Sequence, residues 1–281
     1  MRKVLLGLIG AGIQRSLAPA LQEEEARHHG IRVHYQLIDL DGSSRGVEAL
    51  PGLIEAARIM GFAGLNITHP CKQSVIPLLD SLSEEARSIG AVNTVIRAGD
   101  RLIGHNTDGW GWSWGFRRAL PQADLGRVVL LGAGGAGSAI AYEVLRLGAA
   151  KLLILDPDAS RASALAERMN SIHEAGRASA IGDIAAAMEG ATGLIHATPT
   201  GMDKLPGLPL PASLLRPELW VSEIVYFPLE TELLKAAGRI GCATADGGHM
   251  SVGQALRGFK LFTGREPDAA RMDAHFRRLV S

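Results

Sequence analysis

Cysteine is nearly missing from this sequence: Cys71 and Cys242 are the only two in 281 residues. Two distant thiols build neither a disulfide framework nor a cysteine-rich zinc site, so a reducing, cytoplasmic setting with no bound metal is expected. Charge of one sign is also lacking, since 29 Lys and Arg face 29 Asp and Glu. Without a basic surplus nothing steers the chain toward nucleic acid or an anionic membrane, and a small molecule becomes the expected partner. No apolar run approaches the ~18 residues of a membrane span, and there is no internal repeat, heptad pattern or low-complexity tract. Met1-Arg2-Lys3 ahead of Val4 to Ile9 has the outline of a signal peptide without its cleavage region, and reads instead as a buried first strand running into Gly10-Ala11-Gly12.

What is present is apolar content, 47% of the chain, enough for one large domain or two modest ones. The most informative stretch is Val128-Val129-Leu130-Leu131-Gly132-Ala133-Gly134-Gly135-Ala136-Gly137. Four apolar residues, glycines at Gly132, Gly134 and Gly137, and a small-residue helical pattern read as strand, phosphate turn and helix N-terminus. Backbone amides over Gly132 to Gly137 and the positive end of the following helix would face a pyrophosphate. A second apolar run, Lys151 to Leu155, ends in Asp156, 19 residues after Gly137. A carboxylate there accepts from adenosine ribose hydroxyls and repels a 2′-phosphate, with Asp158 adding to the repulsion, so NAD is expected over NADP. The alternative role for Asp156 is to cap the next helix.

In chain order, Pro19 to His29 reads as a helix stopped by Gly30, Val33 to Asp39 as a strand, and Val47 to Met60 as a helix ended by Gly61. Gly64 to Thr68 is a strand, and Pro70 is placed to open a helix to about Leu79. Lys72 would then sit at a helix N-terminus, where the dipole favours losing its proton; otherwise it is a surface lysine. Ala91 to Ile96 and Leu102 to His105 flank a hairpin turn. Asp108 stands where it caps the next helix, and Trp110, Trp112 and Trp114 read as packing between domains. From Arg127 to about Ala245 strands and helices alternate as in a parallel sheet. Within that span, Lys204 to Pro211 is a proline-bearing loop, Trp220 to Val225 a strand and Glu230 to Arg239 a helix. Met250 to Phe262 is a further helix.

Several strings together resemble the shikimate dehydrogenase family, which includes the quinate/shikimate dehydrogenases. Gly64-Leu65-Asn66-Ile67-Thr68-His69-Pro70-Cys71-Lys72 is similar to that family's Asn-Val-Thr-x-Pro-x-Lys segment. Gly90 to Thr94, Gly104-His105-Asn106-Thr107-Asp108-Gly109, Ala197 to Met202, Val225 to Thr231, Asp246 to Met250 and Gln254-Ala255 continue the likeness in order. The resemblance implies an α/β fold of two domains. A substrate domain over 1–108 would be completed by C-terminal helices at 247–281, and a Rossmann-like nicotinamide-binding domain would span 109–246.

It further implies a hydroxylated ring carboxylate as substrate, Lys72 and Asp108 as the catalytic pair, and ring contacts from Ser16, Asn66, Thr68, Asn93, Thr107, Tyr226 and Gln254. Gly132, Ala133, Gly134, Gly135, Ala136, Gly137, Asp156, Arg161, Thr198, Gly201, Met202, Gly247 and Met250 would line the dinucleotide. The protein would be a monomer or homodimer. Five positions depart from the family pattern. Ala18 replaces the second hydroxyl of a carboxylate-binding pair and Arg15 replaces a histidine. His196 replaces an asparagine, and Gly253 a bulkier residue. Asp156 stands in place of an asparagine, and the basic residue that would favour NADP does not follow it. The expected activity is NAD-preferring interconversion of shikimate or quinate with their 3-dehydro ketones. Its rivals are a dehydrogenase for another hydroxylated ring acid and a cofactor-binding sensor without turnover.

Overall fold

The computed structural model describes residues 2–280. Contacts divide the chain into two compact units, the residues through Thr107 with those from Gln254 onward, and Asp108–Gly253. The divisions therefore fall at 107/108 and 253/254, where the sequence suggests 108/109 and 246/247.

The first unit begins with β1 (Arg2–Gly10), α1 (Ala18–His28) and β2 (Ile31–Asp39), with β1 and β2 parallel over their whole length. The N-terminal stretch is thus a strand, as its run into the Gly10 turn suggests. After α2 (Leu50–Met60), stopped by Gly61 in the left-handed region, come β3 (Gly64–Ile67), the short β4 (Ser81–Leu82), α3 (Glu84–Ile89) and the antiparallel hairpin β5 (Thr94–Ala98) and β6 (Arg101–His105). The sheet order is β2-β1-β3-β5-β6-β4. Sequence reading differs at two helices. The stretch from Val47 splits into a 3-10 turn, Gly46–Ala49, and then α2 with Pro51 in its first turn. The helix expected from Pro70 to Leu79 is instead a set of tight turns leading to a short 3-10 helix, Ile76–Leu78. The bonds from Cys71 N to Thr68 O and from Val75 N to Cys71 O close separate turns, so no helical ladder forms there.

The second unit opens with α4 (Asp108–Ala119), then β7 (Arg127–Leu131), α5 (Gly135–Arg146), β8 (Lys151–Leu155), α6 (Ala159–Ile172), β9 (Ala178–Ala180), α7 (Ile184–Met188), β10 (Gly193–His196), β11 (Trp220–Glu223), α8 (Glu232–Ile240) and β12 (Ala243–Ala245). All strands are parallel in the order β12-β11-β10-β7-β8-β9, a βαβαβ half and a second half whose first connection is a loop with a 3-10 turn at Ala212–Leu214, meeting at β7 and β10. That is the Rossmann order, and it explains the unbroken apolar runs. Val128 and Leu130 enter one core while Val129 and Leu131 enter another, so every residue of the strand must be apolar. Burying a side chain such as Leu130 or Leu152 fully contributes about 1.5–3 kcal/mol. Helix starts follow local chemistry, with Asp158 accepting from Ser160 N and Thr231 from Leu234 N.

The tryptophan expectation needs a correction at Trp112. Its ring stacks on Phe116 at 4.7 Å, and its Nε1 donates to Ser222 Oγ at 3.0 Å, both within the second unit. The spacing of four puts Trp112 and Phe116 on one face of α4, turned into that unit's own core.

The chain closes with α9 (Gly247–Thr263) and α10 (Ala269–Val280). In the first unit α10 lies against α1, where Arg271 forms a two-pronged ion pair with the buried Glu25 at 2.7 and 2.8 Å. No described helix is long and apolar enough to cross a membrane.

Candidate active site

Parallel strands expose their carboxyl ends along one edge, and in an open α/β sheet a ligand site forms there. The second unit places its glycine turn at that edge. Gly132 has φ +103°, and a Cβ on it would lie 2.6 Å from Ala197 O. A Cβ on Gly137 would lie 1.9 Å from Gly132 O, whereas one on Gly134 would meet nothing within 4 Å. Two of the three glycines thus hold the turn closed, and the third opens a space in front of the first amides of α5. Gly135 and Ala136 form that first helical turn. The cradle fits a pyrophosphate.

Asp156 sits one residue beyond β8, and its Oδ2 accepts from Ala133 N at 2.8 Å while Oδ1 accepts from Asp158 N at 3.0 Å. It is Asp158 that caps α6. Each Asp156 oxygen keeps acceptor capacity for a ribose hydroxyl. The Ser160 hydroxyl and amide, with help from Arg161, hold the Asp158 carboxyl below the usual range. Arg161 itself is largely exposed, with Nε 3.5 Å from Asp158 Oδ2.

After β10 the chain turns at Thr198. Gly201 has φ +93° and its amide donates to Leu205 O, which leaves Met202 exposed at the loop tip. Gly247 opens α9 against the end of β11, since a Cβ there would lie 2.3 Å from Val225 O. Met250 is buried within that face of the core rather than open at the edge. Tyr226 is half-buried on the loop after β11, and burial pushes its hydroxyl pKa up.

In the first unit one hydrogen-bonded network gathers most of the residues that the sequence points to as ring contacts. Asn93 is buried, and its Oδ1 accepts from Thr107 N at 2.8 Å and from the Thr94 hydroxyl at 3.0 Å. Its Nδ2 donates to Thr107 Oγ1 at 2.9 Å and reaches Gln254 Oε1 at 3.5 Å. Asn66 is turned by Tyr35, whose hydroxyl donates to Asn66 Oδ1 at 2.7 Å, so Nδ2 donates to Thr94 Oγ1 at 3.0 Å and Asn93 O at 3.3 Å.

Lys72 is half-buried in the turn after β3, and its carbonyl accepts from Val92 N at 2.8 Å, which ties that turn to the segment that carries Asn93 into β5. The helix dipole expected at Lys72 is absent, because no helix begins there. Thr68 packs its methyl where a Cβ on Gly10 would lie, 2.2 Å away, and Ala11 N donates to His69 O at 2.9 Å. Ser16 belongs to that neighbouring loop, with its Oγ accepting from Ala18 N at 3.3 Å at the start of α1. Asp108, the first residue of α4, is buried in the second unit.

Three residues of this edge escape a sequence reading: Tyr35, Thr94 and Asp39. The carboxylate of Asp39 accepts from Gly12 N at 3.0 Å, Ile13 N at 3.2 Å, Gln14 Nε2 at 3.0 Å and Asp41 N at 3.1 Å, and so fixes the loop bearing Ser16. A signal for it exists in the sequence. Leu8-Ile9-Gly10-Ala11-Gly12 followed by a strand and Asp39 is similar to Leu130-Leu131-Gly132-Ala133-Gly134 followed by a strand and Asp156. Desolvation opposes the Asp39 charge, but the hydrogen bonds from Asp41, Gln14, Gly12 and Ile13 together hold its pKa below the ordinary value. Its stabilisation is therefore complete above the unfolded carboxylate range, about pH 4, and is lost as pH falls through the lowered value. Asp39→Ala should speed amide exchange at Gly12 and Ile13 about tenfold, measured by NMR at neutral pH; unchanged protection would show that the loop holds itself.

Comparison with known proteins agrees with this architecture. The family model described as the shikimate dehydrogenase substrate binding domain matches residues 8–95. A shikimate dehydrogenase (NADP(+)) of Streptomyces avermitilis is 54% identical over 278 residues, 98% of this chain and 96% of that protein. A quinate/shikimate dehydrogenase (NAD(+)) of Corynebacterium glutamicum is 47% identical over 278 residues, 97% of this chain and 98% of its own length. Among solved structures, the quinate dehydrogenase of Corynebacterium glutamicum in complex with NAD superposes with a TM-score of 0.93 at 44% identity, covering 99% of this chain and all of that one.

Proposed function

This chain belongs to the shikimate dehydrogenase family, and from that premise we propose that it is an NAD-preferring enzyme that interconverts shikimate or quinate with the corresponding 3-dehydro ketone. At the coarser level it is an oxidoreductase acting on a CH–OH group with a nicotinamide dinucleotide. In this reading the first unit takes the ring acid and the second takes the dinucleotide.

Bound in the second unit, the dinucleotide supplies hydride transfer; the rest falls to side chains. Glycines Gly132, Gly134 and Gly137 admit the pyrophosphate to the start of α5, and Asp156 accepts the ribose hydroxyls. Lys72 Nζ takes the proton of the ring hydroxyl during oxidation and returns it to the ketone oxygen during reduction, and Asp108 is the second member of the catalytic pair. Asn93, Asn66 and Gln254 recognise ring hydroxyls with neutral amides, joined by Thr68, Thr107 and Tyr226, while Ser16 meets the ring carboxylate. Asn66 is held in a single orientation by Tyr35, so it presents fixed geometry.

The cofactor preference rests chiefly on one observation. Asp156 is seated on the phosphate turn through Ala133 N, with the capping carboxylate Asp158 two residues on. A 2′-phosphate placed there would meet two negative charges, and Arg161 is already engaged by one of them. Asp156→Ser should lower the ratio of kcat/KM for NAD over NADP at least tenfold, through weaker NAD and stronger NADP use together. A ratio that stays constant would move the discrimination to other residues.

A further inference from the structure

At the carboxyl ends of β10 and β11 the second unit buries a connected set of polar groups that the mechanism above does not use. His196 and Glu223 have no exposed side-chain surface, and Thr231 is equally enclosed. His196 Nδ1 lies 2.9 and 3.0 Å from the two Glu223 oxygens. Glu223 Oε1 also accepts from Ile224 N at 2.8 Å and Val225 N at 3.0 Å, and Oε2 from the Thr231 hydroxyl at 3.0 Å. On its other side, His196 Nε2 meets Thr198 Oγ1 at 2.5 Å, and Thr200 N points to that same oxygen at 3.4 Å.

The directions of these bonds follow from the inventory of donors. A carboxylate only accepts, so His196 must donate through Nδ1–H. A neutral imidazole that donates through Nδ1 accepts at Nε2, so the Thr198 hydroxyl donates to His196 Nε2 while accepting from Thr200 N. The Thr198 methyl lies close to Gly132, its Cγ2 3.1 Å from where a Cβ on that glycine would stand. The methyl faces the glycine turn and the hydroxyl faces His196, which selects one χ1 rotamer.

We propose that His196 and Glu223 are positioning residues. They fix Thr198 and the start of the 198–202 loop beside the glycine turn, and so preorganise the second unit for a nicotinamide dinucleotide. This rests on the reading of that unit as the dinucleotide site. The same carboxylate anchors the first two amides after β11 and the capping threonine of α8, so it also orders the loop that carries Tyr226. His196 is the link between the two loops. It transmits the placement of Glu223 to Thr198 without touching the ligand itself.

The test is a cycle of variants read by calorimetric titration of NAD into the purified protein, with no ring acid present. Thr198→Val keeps shape and removes the hydroxyl; His196→Asn removes the ring that reaches it. Each should raise the NAD dissociation constant about tenfold, and the double variant should be no weaker than the weaker single, because both break one chain of contacts. Thr198→Ser should recover most of the affinity, and the KM for the ring acid at saturating NAD should move less than twofold. Independent, multiplying losses, or wild-type affinity in Thr198→Val, would overturn the positioning role while leaving dinucleotide binding intact. A wild-type protein that binds neither NAD nor NADP would overturn the reading of the unit together with this proposal.

Discussion

Lys72→Ala is expected to lower kcat by about 10²- to 10⁴-fold, the range for loss of a positioned proton-transfer group, with NAD affinity unchanged. The side chain leaves a turn whose backbone is held independently of it, through Val92 N to Lys72 O and Cys71 N to Thr68 O. Truncation at Cβ therefore removes the ammonium without disturbing the turn. The two effects separate cleanly in steady-state kinetics and titration calorimetry. Turnover within a fewfold of wild type would remove Lys72 from the chemistry.

Gly137→Ala is expected to have the next largest effect, and on binding rather than on turnover of the bound state. Its Cβ would be placed 1.9 Å from Gly132 O, against backbone that cannot move alone because Gly132 N is bonded to Leu155 O at 2.7 Å. The start of α5 must shift, at an overpacking cost of about 1–3 kcal/mol, roughly 5- to 150-fold if it appears in NAD affinity. A fall in Tm should accompany it. Gly134→Ala is the informative control, because its added methyl meets nothing within 4 Å and its φ of −76° suits any residue. That variant should keep its Tm and still lose NAD affinity, since the methyl occupies the space in front of the α5 amides. Equal Tm losses in both, or full affinity in Gly134→Ala, would place the pyrophosphate elsewhere.

These two residues also show what a sequence can and cannot disclose. Gly137 belongs to a local pattern, strand then turn then helix, in which each residue's role follows from its immediate neighbours. The parallel sheet of the second unit was legible for the same reason, through apolar runs buried on both faces. The turn around Lys72 was not. A proline after a strand suits a helix start, but the backbone bonds of Thr68 and Cys71 close a turn there instead, and the lysine has no helix end beside it.

Partners joined by tertiary pairing were the other blind spot. Tyr35 reaches Asn66 only because β1 pairs in parallel with both β2 and β3, and nothing near Tyr35 announces it. Glu223 is similar, an acid at the end of an apolar strand whose four partners come from β10, from its own loop and from Thr231. His196 drew notice as a departure from the family pattern, yet only the adjacent ends of β10 and β11 show why an imidazole belongs there. Asp39 was readable in principle, since the Leu-Ile-Gly-Ala-Gly string and its acid repeat the signal at Gly132 and Asp156. In the first unit, however, the amides of the loop itself occupy the carboxylate.

The most direct test of the central claim is the initial rate of oxidation of shikimate and of quinate, each with NAD and with NADP, followed by the absorbance of the reduced nicotinamide. The account predicts turnover of at least one acid, with kcat/KM for NAD exceeding that for NADP by tenfold or more. Faster turnover with NADP would contradict the role given to Asp156, and silence in all four mixtures from a protein that binds NAD would contradict the substrate.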